Sequence, residues 1–137
     1  MLQDVFAVAS SALSAESLRI TLSAQNLANS DSVATPEGGV YQRQEPVFET
    51  APIGGAPAGP LGVRVAAVLR DSSPPRMEYD PGNPLANEQG MVATPAVDPI
   101  YELVDLMEAT RVYQANLSAV QSAKSDMLAA VNLLSMV

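Results

Sequence analysis

Glu102, Asp105 and Glu108 recur every three residues, a spacing that on a helix gathers three carboxylates near one face, where they could do acid-base work or hold a metal ion. The chain contains no histidine and no cysteine. A Ser-His-Asp mechanism, a thiolate nucleophile and the common zinc sites therefore have no residues to build them within this chain. Ser10, Ser11 and Ser14 cluster near the start, but none has a neighbouring base and none lies in a G-x-S-x-G turn. They read as small hydroxyls on a closely packed helix. Asp71 and Asp80 sit beside turns, where aspartate serves the backbone. A solvated N-terminal helix surface, where the macrodipole favours anions, explains the Glu102 series without catalysis. The residues thus point away from an enzyme, and no cofactor, metal site or small-molecule substrate is expected.

The net charge of −8, with only seven Lys and Arg, argues against nucleic acid or an anionic membrane surface as a partner. The opening MLQDVFAVASSALSAES carries Asp4 where a secretory signal needs positive charge, so a cleavable signal is not expected. Direct membrane insertion is not expected either, because no apolar run approaches the ~20 residues that span a bilayer.

The positions of glycine and proline divide the chain. None precedes Pro36, they crowd residues 36 to 99, and none follows Pro99. In the first segment Phe6, Leu13, Ile20 and Leu27 recur by sevens, with Asp4 as the expected N-cap and Asn29 as a left-handed terminator. In the last, Leu106, Tyr113, Val120, Met127 and Leu134 recur by sevens, flanked by Leu103, Leu117 and Val131. Asp98 and Pro99 read as its N-cap and first helical position. Between them, residues 63 to 70 and 76 to 80 alternate as strands, while 40 to 48 and 90 to 94 are weaker candidates. TAPIGGAPAGPLG, residues 50 to 62, reads as a flexible loop without regular structure, and DPGNP, 80 to 84, as a turn in which Gly82 can supply a positive φ. The expected class is α+β: helices over 1–30 and 98–137 pair as a coiled coil, and a small β-rich module, 31–97, is inserted between them.

Two long helices that merely cover each other's narrow seams gain little against the entropy of ordering them. The terminal helices should therefore be marginal alone, and complete when neighbouring molecules cover their remaining apolar faces. The seam and flanking residues, Phe6, Leu13, Ile20, Leu27, Leu103, Leu106, Tyr113, Leu117, Val120, Met127, Val131 and Leu134, are the expected assembly interface.

NLAN at 26 to 29, TP at 35 to 36, Tyr41, PAVD at 95 to 98 and ATRVYQAN at 109 to 116 closely resemble the bacterial flagellar rod, hook and filament-axis proteins. Ala96, Asn83 and Met91 stand where members of that family often carry Asn, His and an aromatic. The resemblance implies a structural subunit of the basal-body rod, which spans the periplasm, transmits torque and walls the export channel. It also implies export by the flagellar type III apparatus without a cleaved signal, and assembly with copies of itself and other rod proteins. The family positions carried over are Asn26, Leu27, Asn29, Tyr41, Tyr113, Gln114 and Asn116, whose polar groups are expected to satisfy one another or the backbone where helices meet. Two other readings compete. One is a secretion-system adaptor or chaperone that uses a helical hairpin to bind one partner; the other, a cell-wall hydrolase, lacks an acid-base pair.

Overall fold

The computed structural model describes residues 2–34, 38–55 and 59–135. Helix α1 spans Leu2–Ala28 and helix α2 spans Pro99–Leu134, the two segments that, Pro99 apart, glycine and proline avoid. Between them run strands β1, Gln44–Pro52, β2, Leu61–Arg70, β3, Arg76–Tyr79, and β4, Met91–Thr94. The strands form two antiparallel ribbons, β1 with β2 and β3 with β4. The architecture is α+β.

Local chemistry sets most boundaries. Asp98 caps α2 by accepting from the backbone N–H of Ile100 and Tyr101, and Pro99 supplies the preset φ of a first helical residue. At α1 two expectations change. The helix already includes Leu2, so Asp4 lies in its first turn and complements the dipole there. Nor does Asn29 turn left-handed, since among the described residues no non-glycine has positive φ. The helix instead closes through side chains: Asn29 Nδ2 donates to the Gln25 carbonyl, Ser30 Oγ to Leu27 and Ser32 Oγ to Asn29.

The strand expected at 40 to 48 is displaced toward 44–52. Thr50, Ala51 and Pro52 pair with Val63, Gly62 and Leu61, which draws both ends of the expected 50–62 loop into the β1/β2 ribbon. Ile53–Gly55 then make a short 3-10 turn, and residues 56–58 lie outside the described set. Pairing outweighs the turn-rich composition here, because β2 is a strong strand and supplies a ladder for whatever lies opposite. Gly82 does not take positive φ in the DPGNP turn; Gly90, on the far side, does, with φ 74.

The β1/β2 ribbon lies against α1, and one contact fixes how close it comes. Ser11 Oγ donates to the Val8 carbonyl at 2.7 Å and accepts from the Val63 N–H at 3.0 Å. A Cβ at the adjacent Gly62 would stand 2.6 Å from that oxygen and 2.8 Å from Ile53 Cδ1. Glycine is needed at this approach of strand to helix.

The two helices are antiparallel. Asn26 meets Glu102, Arg19 and Ser23 meet Asp105, and Val5, Val8 and Ala9 line a groove with Asn116. Continued at 1.5 Å per residue, that pairing brings α1 to its end beside roughly residue 122, so about the last three turns of α2 extend past it. The core sits at the other end. Leu22, Ser23, Asn26 and Ser30 of α1 and its exit are buried there with Val92, Thr94, Pro95 and Val97 around β4, and Glu102 and Ala109 of α2.

One expectation about membranes changes: α1 over Gln3–Ala28 is long and apolar enough to cross a bilayer by length and composition. Small apolar residues, spaced by serines, raise the average without forming an unbroken run. In this fold the helix spends its polar groups on α2 and the β ribbon.

Candidate assembly interface

The deepest line between the helices is made, Leu22 apart, of small and polar residues. Ala15, Leu22 and Asn26 of α1 are buried, as are Glu102 and Ala109 of α2. Phe6, Leu13, Ile20 and Leu27 lie beside this line, half-buried, as do Leu106, Tyr113, Val120 and Met127. Leu103, Leu117 and Val131 are exposed, and the side chain of Leu134 lies outside the described set.

Asn26, 1% exposed, uses its whole hydrogen-bonding capacity. Its Nδ2 donates to the Gln44 carbonyl at 2.8 Å and to Glu102 Oε2 at 3.0 Å. Its Oδ1 accepts from Tyr41 Oη at 2.8 Å and from the Gln44 N–H at 2.9 Å. Burial pushes the Tyr41 phenol up from its ordinary value, which keeps the proton it donates. Glu102, 0% exposed, accepts from Asn26 on one oxygen and from Arg43 Nε on the other. Arg43 also reaches Glu45 and lies 5.2 Å from the centre of the Tyr101 ring. Helix α1, the 41–44 segment and the first turn of α2 are thereby tied at one point.

A second tie lies three residues along α2. Asp105 accepts from Arg19 Nε at 3.1 Å and from Ser23 Oγ at 2.6 Å. The solvated carboxylate face expected for Glu102, Asp105 and Glu108 is therefore corrected: Glu102 is fully buried, Asp105 is half-buried in an ion pair, and Glu108 alone remains largely in solvent, 3.7 Å from Arg19. The arginines that neutralise them come from α1 and the middle segment, which local spacing cannot reveal.

These partners set opposite shifts. At Asp105 burial is the largest single influence and would raise the pKa, but the hydrogen bonds from Arg19 and Ser23 and the charge of Arg19 together hold it below the usual range. At Glu16 burial dominates and raises the pKa, Arg19 opposing it from 3.7 Å while Asp105 and Glu108 add to it. A depressed folded-state value stabilises above the unfolded value, about 3.9 for Asp, and that stability is lost as pH falls through the folded value. Glu16 works the other way, gaining stability on protonation between its raised folded value and about 4.3. Urea titrations should accordingly show an acid loss below about pH 4 that shrinks in Asp105→Asn. An unchanged acid limb in that variant would remove Asp105 as its source.

The remaining family positions fall apart in space. Leu27 and Asn29 lie at the end of α1 near the Asn26 cluster, and Tyr41 joins it. Tyr113 lines a cleft with Ser10, Leu13, Ser14 and Ser17; Asn116 lines the apolar groove with Val5, Val8, Ala9 and Ala12; Gln114 is exposed. Thr35 and Pro36 lie outside the described residues. Asn83 and Met91 have structural duties, Asn83 Oδ1 accepting from the Leu85 N–H and Met91 pairing with Tyr79 across the second ribbon. Sequence reasoning missed Arg19, Ser23 and Arg43. The available signal was a set of polar residues on the apolar side of a helix, with Asn26 four residues after Leu22 and an arginine seven before it.

Opposite the buried side of α2, Ile100, Leu103, Val104 and Met107 form an exposed apolar stripe at helical spacing, Ile100 being 74% and Met107 59% exposed. Polar ties fasten one side of this helix while its other side offers large hydrocarbon surface to water.

A family model described as the C-terminal part of flagellar basal body rod FlgEFG proteins matches residues 88–133. Along nearly the whole chain, the sequence is similar to flagellar basal-body rod proteins FlgC. It is 43% identical to that of Escherichia coli O6:H1 over 132 residues, 96% of this chain and 97% of the relative. The identity is 42% to that of Salmonella typhimurium with the same coverage. To that of Borreliella burgdorferi it is 37%, over 93% of each chain.

Proposed function

This chain belongs to the FlgC family of flagellar basal-body rod proteins and has a structural role in that rod; from this premise we propose that its terminal helices are the assembling parts. They pair as a coiled coil whose flanks, with Ile20, Leu103, Leu117, Val120 and Val131 among them, are covered by copies of this chain and by other rod subunits. Residues 1–30 and 98–137 then form the axial layer, which carries torque and walls the export channel. The module 31–97 faces away from it. Passage through the flagellar type III apparatus without a cleaved signal delivers the chain to a rod that spans the periplasm.

The observation that supports this reading most directly is the exposed hydrocarbon on α2, ten large apolar side chains from Ile100 to Leu133 among the described residues. A monomer leaves these in water, whereas a packed rod removes them from it. The carboxylates that chemistry would need are bound to arginines instead. The relatives give the adaptor or chaperone reading no support, since all of those cited are named as rod proteins.

Purified basal bodies test the proposal. The tagged intact chain should co-purify with the rod, and cells lacking it should make no complete rod until it is restored. Basal bodies of normal length and composition in its absence would sink the proposal.

A further inference from the structure

Separately from the helix contacts proposed above, we infer that free copies of this chain pair edge to edge through strand β3, so that two β3/β4 ribbons become one four-stranded antiparallel sheet. The first support is an open edge. Strand β3 pairs with β4 alone among the described residues, and all four of its residues, Arg76 to Tyr79, are exposed. The bond from the Asp80 N–H to the Gly90 carbonyl sets the alternation of the ladder. Arg76 and Glu78 therefore turn their backbone groups toward β4, while Met77 and Tyr79 turn theirs outward. Among the described residues those outward groups meet no partner. Such an edge is a template for another strand. Pro74 and Pro75 precede it and the turn closed by Asn83 N–H on the Asp80 carbonyl follows it, so the strand it admits is short.

The second support is that this edge complements itself. In an antiparallel pair centred on Met77, Arg76 of each copy stands opposite Glu78 of the other, at the non-hydrogen-bonded positions where side chains come closest. Met77 exchanges two backbone bonds with its own counterpart, and Tyr79 comes beside Pro75 of the second copy. Met77 and Tyr79, 51% and 70% exposed, share one face of the strand, so the pairing covers hydrocarbon on that face and joins charges on the other. Arg76 spends its Nε on the Pro95 carbonyl at 3.1 Å, which leaves its terminal nitrogens for the second copy's carboxylate. The neighbouring registers that also use the outward groups set Glu78 against Glu78 or Arg76 against Arg76, which like-charge repulsion disfavours. The charges thus choose both the occupant and the register.

A two-fold contact closes on itself, so it stops at two copies and belongs to chains outside a rod, whose contacts have to repeat. With four residues a side it falls short of the ~1,200 Å² at which interfaces become stable. The pair is weak and forms at high local concentration.

No native cysteine competes for oxidation, and counterparts in a hydrogen-bonded pair stand about 5.5 Å apart at Cα, within disulfide reach. Full-length Met77→Cys protein, oxidised at high concentration, should give a covalent dimer and no larger species. Glu78→Arg in that background should cut the yield at least ten-fold. Adding Arg76→Glu to it should restore the yield, because each facing pair is again opposite in charge, whereas a register with position 78 facing itself would stay repelled. Native circular dichroism of every variant is checked first. No dimer, a yield indifferent to Glu78→Arg, or a double exchange that stays unpaired overturns the inference. So does a cross-link that forms only to a different rod subunit in basal bodies. Each of these results leaves the rod reading, tested by basal bodies from cells lacking the chain, as it stands.

Discussion

Glu102→Ala should unfold the base of the helical hairpin at far lower urea than the parent chain, with a loss of about 3–5 kcal/mol. The carboxylate is 0% exposed and is the shared acceptor for Asn26 Nδ2 and Arg43 Nε. Its removal leaves a half-buried guanidinium facing a void and strands an amide donor that water does not reach. Glu102→Gln keeps the volume and one acceptor, so its loss should be smaller, and comparison of the two separates charge from packing. Equilibrium unfolding measures both. A loss below about 0.5 kcal/mol for the alanine variant, the size of an ordinary surface change, would mean that the cluster does not hold the helices together.

Ile20→Asp should abolish incorporation into the rod while the monomer stays largely folded. Ile20 is half-buried beside the deepest line of the hairpin, so in a free chain the new carboxylate can turn toward solvent at a cost of about 1–2 kcal/mol. Once neighbours cover that flank it has no such escape. A buried unpaired charge then costs 3 kcal/mol or more, about a hundred-fold in association. Cells carrying the variant should be non-swimming and their basal bodies depleted of the chain, while amide exchange through the β1/β2 ribbon stays slow. Normal rods in swimming cells would refute the assembly role given to this flank.

The periodic signals carried the architecture. Val63, Val65, Ala67 and Leu69 alternate with Arg64, Ala66, Val68 and Arg70, and β2 forms there; the freedom of both ends from glycine and proline marks α1 and α2. β1 was less legible because Thr50–Pro52 look like the start of a turn, and only their pairing with Leu61–Val63 makes them strand. At the interface, heptad spacing found residues that are large, whereas the positions closest to the helix contact, Leu22 apart, are small or polar. Ala15, Ser23, Asn26 and Ala109 let the backbones approach, which size-weighted reading overlooks. The burial of Glu102 depends on Arg43, 59 residues away in sequence. Pairings over such distances leave no local pattern.

The polar ties gather at one end of the hairpin, around Asn26, Glu102, Arg19 and Asp105, while toward its tips Ser10, Leu13, Ser14 and Ser17 line a cleft with Tyr113, and Val5, Val8, Ala9 and Ala12 a groove with Asn116. Local opening of such a pair should start at its tips. Amide exchange should accordingly be faster around residues 3–10 and 113–120 than around Asn26 and Glu102, which the polar ties hold in one register.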